Sequence, residues 1–167
     1  MERSERRAEI LEQNGFHFLW INKGNGPELC MWDLPDEIEY QREVAAQAHG
    51  DVLVAGYGFG LVQKFLFENP KVTSVTTVEI LPEVVEQCRR VFGKVHGNVV
   101  IGDFYKFGDE KVFDTVIGDI WIEPTKKYLE EYVKFKEKGT SLLKPGGKVL
   151  AWGSDYFEFL IRQNWGG

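Results

Sequence analysis

Cysteine is scarce in this chain: Cys30 and Cys88 are the only two in 167 residues, and they stand far apart outside any C-x-x-C pairing. They offer no disulfide framework, and His17, His49 and His96 make no metal-ligand spacing with them, so the chain is expected to need no metal. Positive charge is also in deficit, with 20 Lys and Arg against 26 Asp and Glu and a net charge of −6. Binding a nucleic-acid backbone needs clustered cations. The basic run KFKEK at 134–138 alternates with acid and reads as a solvated helix face, so no nucleic-acid partner is expected. Long apolar runs are missing too: none approaches the roughly 18 residues of a membrane span. The first residues, MERSERRAEILEQ, are charged where a secretory signal needs an apolar core. The expectation is a cytoplasmic protein with no membrane partner.

What is present is a composition 43% apolar and 14% aromatic, enough for one packed domain at this length. Residues 1–35 read as an extension, with a charged helix over 2–13 and then a β-hairpin. FHFLWIN (16–22) and ELCMWDL (28–34) flank the turn KGNGP. DEIEYQREVAAQAH (36–49) has an acidic start and helical spacing. From residue 51 strands and helices alternate: strand 51–57, helix LVQKFLFEN, strand 72–80, helix 82–92, strand 98–103, strand 113–121. A helix over 126–143 capped by Thr125, a strand at 148–154 and a short helix complete the series. This pattern predicts an α/β fold, a Rossmann-like doubly wound parallel sheet over 36–167 with an N-terminal β-hairpin. In such sheets ligands bind beyond the carboxyl ends of the strands, where strand order reverses.

The stretch VLVAGYGFG places Gly56, Gly58 and Gly60 directly after the first strand of that series. Glycine at alternate positions costs backbone entropy, and close approach of a ligand is the better reason for it. Glu79, Asp103 and Asp119 fall at or near strand ends. Glu79 follows Gly56 by 23 residues, close to the spacing of about 20 at which a carboxylate meets ribose hydroxyls. The dinucleotide fingerprint G-x-G-x-x-G fails, because Leu61 stands where its third glycine belongs.

GYGFG with TVEI, VVIGDF, FDTVIGDIW and LLKPGGKVLAW, in this order, resemble the strand-end motifs of class I S-adenosylmethionine-dependent methyltransferases over about residues 36–155. Within that superfamily VEILPEVVEQC and DEIEYQRE are most similar to spermidine synthases, as is Val54 where many methyltransferases carry an acid. Phe59 stands where those synthases have the aspartate that holds the aminopropyl amine. FDTVIGDIWIEPTKKYLEEYVKF and MWDLPDEIEY also resemble guanidinoacetate-type N-methyltransferases. A full methyltransferase sheet has two further strands after the fifth. The resemblance therefore implies a truncated sheet whose fifth strand needs cover, most simply in a homo-oligomer.

The resemblance implies S-adenosylmethionine, or its decarboxylated form, as co-substrate and a small amine as acceptor. Gly56, Gly58, Phe59, Gly60, Glu79, Ile80, Asp103 and Phe104 are the expected cofactor-binding residues. Asp119 and Tyr40 are the expected catalytic pair, with Gln41, Trp121 and Glu123 on the acceptor side and Asp33 and Asp36 as further anions for a cationic acceptor. Methyl transfer leads aminopropyl transfer because of Phe59. A non-catalytic binding or assembly module of the same fold is the reading from another class.

Overall fold

A computed structural model describes residues 7–108, 110–118, 126–151 and 153–163. In chain order the elements are β1 (Ala8–Gln13), β2 (Phe16–Asn22), β3 (Pro27–Trp32), α1 (Pro35–Ala46), β4 (Gly50–Ala55) and α2 (Leu61–Phe67). There follow β5 (Val72–Glu79), α3 (Pro82–Phe92), β6 (Asn98–Ile101), β7 (Phe113–Gly118), α4 (Leu129–Ser141), β8 (Leu143–Ala151) and α5 (Ser154–Arg162). Five strands form one parallel sheet in the order β6-β5-β4-β7-β8, and β1-β2-β3 form a separate antiparallel sheet. The large sheet winds outward in both directions from β4, so strand order reverses there. The loop that follows β4 lies at the switch point.

The continuous apolar run in β4 has a direct cause, since a strand covered on both faces needs no polar positions. Leu53 and Ala55 face the side covered by α4 and α5, together with Val116, Phe135 and Phe157. Val52 and Val54 face α1 and α2, together with Val44, Ala45 and Leu66. The small sheet packs Ala8, Ile10 and Leu19 against Val84 and Cys88 of α3 and against Tyr57 and Phe59 of the loop after β4. Its edge is held by side chains: Ile10 N–H donates to Gln87 Oε1, and Arg90 donates to the Ile10 carbonyl. Among the described residues no helix is long and apolar enough to cross a membrane.

Two expectations are corrected. The helix expected over 2–13 is, in its described part, strand β1. Ala8 and Ile10 alternate inward at period two, and pairing with Ile21 and Leu19 outweighs the charged composition that pointed to a helix. The last strand begins at Leu143, within the segment assigned to a helix and its stop. KPGG makes a bulge within it: Phe113 pairs with Leu143 and Thr115 with Lys148, with Gly146 at φ +83° in the excess residues.

The opposite end of the sheet from the glycine loop is tied by charge. Lys144 Nζ lies 3.2 Å from Asp51 Oδ2 and 3.3 Å from Asp114 Oδ2, linking β4, β7 and β8. Hydrogen bonds from Ser74, Thr73 and Lys144 hold the Asp51 carboxyl below its ordinary range, and the Asp51 N–H does the same for Asp114. A carboxylate depressed in the fold contributes stability that is present above its unfolded pKa of about 3.9 and is lost as pH falls through its lower folded value. Lys144→Met should therefore melt below wild type at neutral pH and converge with it as pH falls through the depressed folded values of the two carboxylates. A gap that stays constant over that range contradicts the clamp.

Candidate functional site

The loop 56–60 is held from four directions. Tyr57 N–H donates to Glu79 Oε1 at 2.9 Å, and Gln63 Nε2, fully buried in α2, donates to the Gly56 carbonyl at 3.4 Å. The Cys88 thiol donates to the Gly58 carbonyl at 3.0 Å, and burial pushes that thiol up to about 12, so it stays protonated. The Tyr57 hydroxyl accepts from His96 N–H at 2.9 Å. Gly56, Gly58 and Gly60 all have positive φ, at +91°, +57° and +75°.

Glu79 closes β5 and is 7% exposed. Its second oxygen accepts from Leu81 N–H at 2.9 Å, so one carboxylate fixes both the glycine loop and the start of α3. Burial raises its carboxyl above the ordinary range, the N–H groups of Leu81, Tyr57 and Ile80 oppose this, and Glu83 adds a smaller rise. Asp103 follows β6 and accepts from Tyr105 N–H through Oδ1 at 2.9 Å, starting a single 3-10 turn that buries Phe104 against Phe135.

A cavity of about 240 Å³ opens at this point. Six of the expected cofactor residues line it: Gly56, Gly58, Glu79, Ile80, Asp103 and Phe104. Phe59 and Gly60 do not. The Phe59 ring turns into the apolar cluster beneath the small sheet, edge-on to Phe92 at 5.8 Å. Tyr40 is also elsewhere, its hydroxyl donating to the Ala151 carbonyl at 3.4 Å and joining α1 to β8. Gln41 is buried and its amide donates to Glu37 Oε1 at 2.8 Å. Asp33 is bonded to His17 Nδ1 at 2.6 Å within the small sheet. Asp119, Trp121, Glu123 and the cap at Thr125 lie outside the described residues.

The other wall of the cavity was not anticipated. It is made by the small sheet and the start of α1: Leu19, Ile21, Lys23, Met31, Trp32 and Glu37. A signal for part of it exists in the sequence, because Leu19 and Ile21 share one face of β2 and Lys23 follows just past its end. The depth of Met31 over the loop is a tertiary result; its sulfur would lie 2.5 Å from a Cβ placed on Gly58. Lys23 is the one cation among the described lining residues, and Glu37, Glu79 and Asp103 are anions of the same lining.

No family model matches the chain, and no curated protein matches it. Solved structures do. Spermidine synthase from Thermotoga maritima is 18% identical with a TM-score of 0.58, covering 87% of this chain and 56% of that one. A candidate methyltransferase from Bacillus halodurans C-125 is 20% identical with a TM-score of 0.51, covering 70% and 50%. Another, solved in complex with a methyltransferase activator from Haloferax volcanii, is 20% identical with a TM-score of 0.52, covering 70% and 52%. The chain thus has a class I methyltransferase-like fold, and it spans about half the length of these structures.

The glycines of the loop differ in how much room they leave. A Cβ on Gly60 would overlap the Tyr57 hydroxyl, which is locked by His96, whereas a Cβ on Gly58 meets the flexible end of Met31. Gly58→Ala should cost little beyond left-handed strain, about 1–2 kcal/mol, and Gly60→Ala should cost more. Urea denaturation of the two variants checks this, and the reverse ranking contradicts the packing described.

Proposed function

We propose that the protein is a transferase that uses S-adenosylmethionine and moves its methyl group to a small, amine-bearing acceptor. One observation carries the reading: at the switch point of a parallel sheet, a single cavity is lined jointly by the glycine loop, Glu79 and Asp103. Ile80, 62% exposed beside the buried Glu79, offers an apolar surface for a flat ring. Glu79 would accept from the ribose hydroxyls and Asp103 from the exocyclic amine of adenine. A group with that many polar edges and one flat apolar face is a nucleoside.

The sulfonium donor supplies a carbon already activated toward a nucleophile. The chain's own residues have to align the acceptor and keep water out, and alignment of this kind contributes about 7–11 kcal/mol in favourable cases. Leu19, Ile21 and Met31 provide an apolar wall for that exclusion. We assign Asp119, the residue after Gly118 at the end of β7, to orient the acceptor amine and hold its proton, with Trp121 and Glu123 beside the acceptor.

Aminopropyl transfer from the decarboxylated donor is the second reading, and one observation favours it. A match covering 87% of the chain is longer than everything from Pro35 onward, so the likeness to the spermidine synthase reaches into the small sheet. Two others favour methyl transfer: the ring of Phe59 offers no anion, and Lys23 in the lining suits a donor that retains its carboxylate.

Calorimetry separates these. S-adenosylmethionine should bind more tightly than its decarboxylated form; the reverse order transfers the reading to aminopropyl chemistry, and binding of neither sinks both. Glu79→Gln should weaken nucleoside binding by at least about tenfold, the loss of one hydrogen bond to a charged group. Once an acceptor is in hand, Asp119→Asn should reduce turnover far more than donor affinity, and unchanged turnover removes Asp119 from the mechanism.

A further inference from the structure

The three carboxylates in the cavity lining differ in what already holds them. Glu79 gives one oxygen to Tyr57 N–H and the other to Leu81 N–H. Asp103 gives Oδ1 to Tyr105 N–H and keeps Oδ2 at the end of β6, where the proposed donor has its adenine. Glu37 stands in the first turn of α1. Its Oε1 accepts from the Gln41 amide one helical turn later, and its Oε2 has no hydrogen-bond partner among the described residues. Nor does any Lys, Arg or His among the described residues form an ion pair with it.

A half-buried carboxylate with one oxygen fixed and no ion pair among the described residues keeps an acceptor oxygen for a cationic group that enters the cavity. Burial already raises the Glu37 carboxyl above its ordinary range, against the opposing bond from Gln41. Gln41 is itself buried, so its bond to Glu37 Oε1 holds the Glu37 carboxylate in place. In the glycine loop the backbone carbonyls of Gly56 and Gly58 already accept from Gln63 and Cys88, and the Phe59 side chain, which carries no charge, lies in the apolar cluster.

We infer that Glu37 receives the primary ammonium group on the amino-acid side chain of the adenosyl donor, with Gln41 positioning it. This rests on the proposed nucleoside site and adds to it the residue that distinguishes a donor with an amine from the bare nucleoside. Gln41, expected on the acceptor side, then acts through Glu37 on the donor.

Calorimetry with S-adenosylhomocysteine, which carries the ammonium, and methylthioadenosine, which lacks it, tests the assignment. Wild type should prefer S-adenosylhomocysteine, and Glu37→Gln should weaken that ligand by at least about tenfold, as expected for one charge-assisted bond. Methylthioadenosine should bind the variant unchanged, which also shows that the variant is folded. Glu37→Asp, which keeps the charge but withdraws it by one methylene, should fall between the two. Equal loss for both ligands, no loss for either, or a wild type that binds both equally well overturns the role of Glu37 while leaving the nucleoside site standing. A wild type that binds neither ligand overturns the nucleoside site and the role of Glu37 with it.

Discussion

The hydrogen bonds from Tyr57 N–H and Leu81 N–H to the two oxygens of Glu79 are the constraint on which the rest of the site depends. Through them one buried side chain sets the glycine loop against the turn that begins α3. The loop then carries Tyr57 and Phe59 into the cluster beneath the small sheet, and α3 carries Gln87 and Arg90 to the edge of β1. The small sheet is thereby fixed over the loop as the second wall of the cavity. Loss of Glu79 would leave the buried Tyr57 N–H without that partner, a cost of about 1–3 kcal/mol, and would release the part-buried Leu81 N–H as well. The carboxylate proposed to meet the ligand is also the one that shapes its pocket.

This double use has a physical rationale. A carboxylate that already accepts from two N–H groups has lone pairs left over, and its orientation is fixed before any ligand arrives. Burial raises its carboxyl above the ordinary range, and the N–H groups of Leu81, Tyr57 and Ile80 offset only part of that rise. Lys144 with Asp51 and Asp114 ties the opposite end of the same strands, where exposure makes the interaction weaker and dependent on salt. The sheet is therefore pinned by charge at one end and by a buried carboxylate at the other. The cavity lies at the second end.

Much of the large sheet was legible in the sequence, because its strands are short apolar runs and its helices have clear starts such as Pro82. The placing of the glycine loop at the switch point followed from the alternation of elements alone. The rest depended on contacts between distant segments. Strand β1 is too charged to read as a strand until Ala8 and Ile10 are seen against α3. Glu37 reads as an ordinary acid at a helix start, and its place in the cavity depends on how α1 meets the small sheet. The direction of Phe59 is likewise tertiary: position in a motif placed it near a ligand, and packing against Phe92 turned it away.

A crystal structure of the protein grown with S-adenosylhomocysteine is the most direct measurement. The predicted result is the nucleoside in the cavity under the glycine loop, with both ribose hydroxyls on Glu79 and the adenine between Ile80 and Phe104. An empty cavity at saturating ligand, or a nucleoside bound away from Glu79, would contradict the central claim.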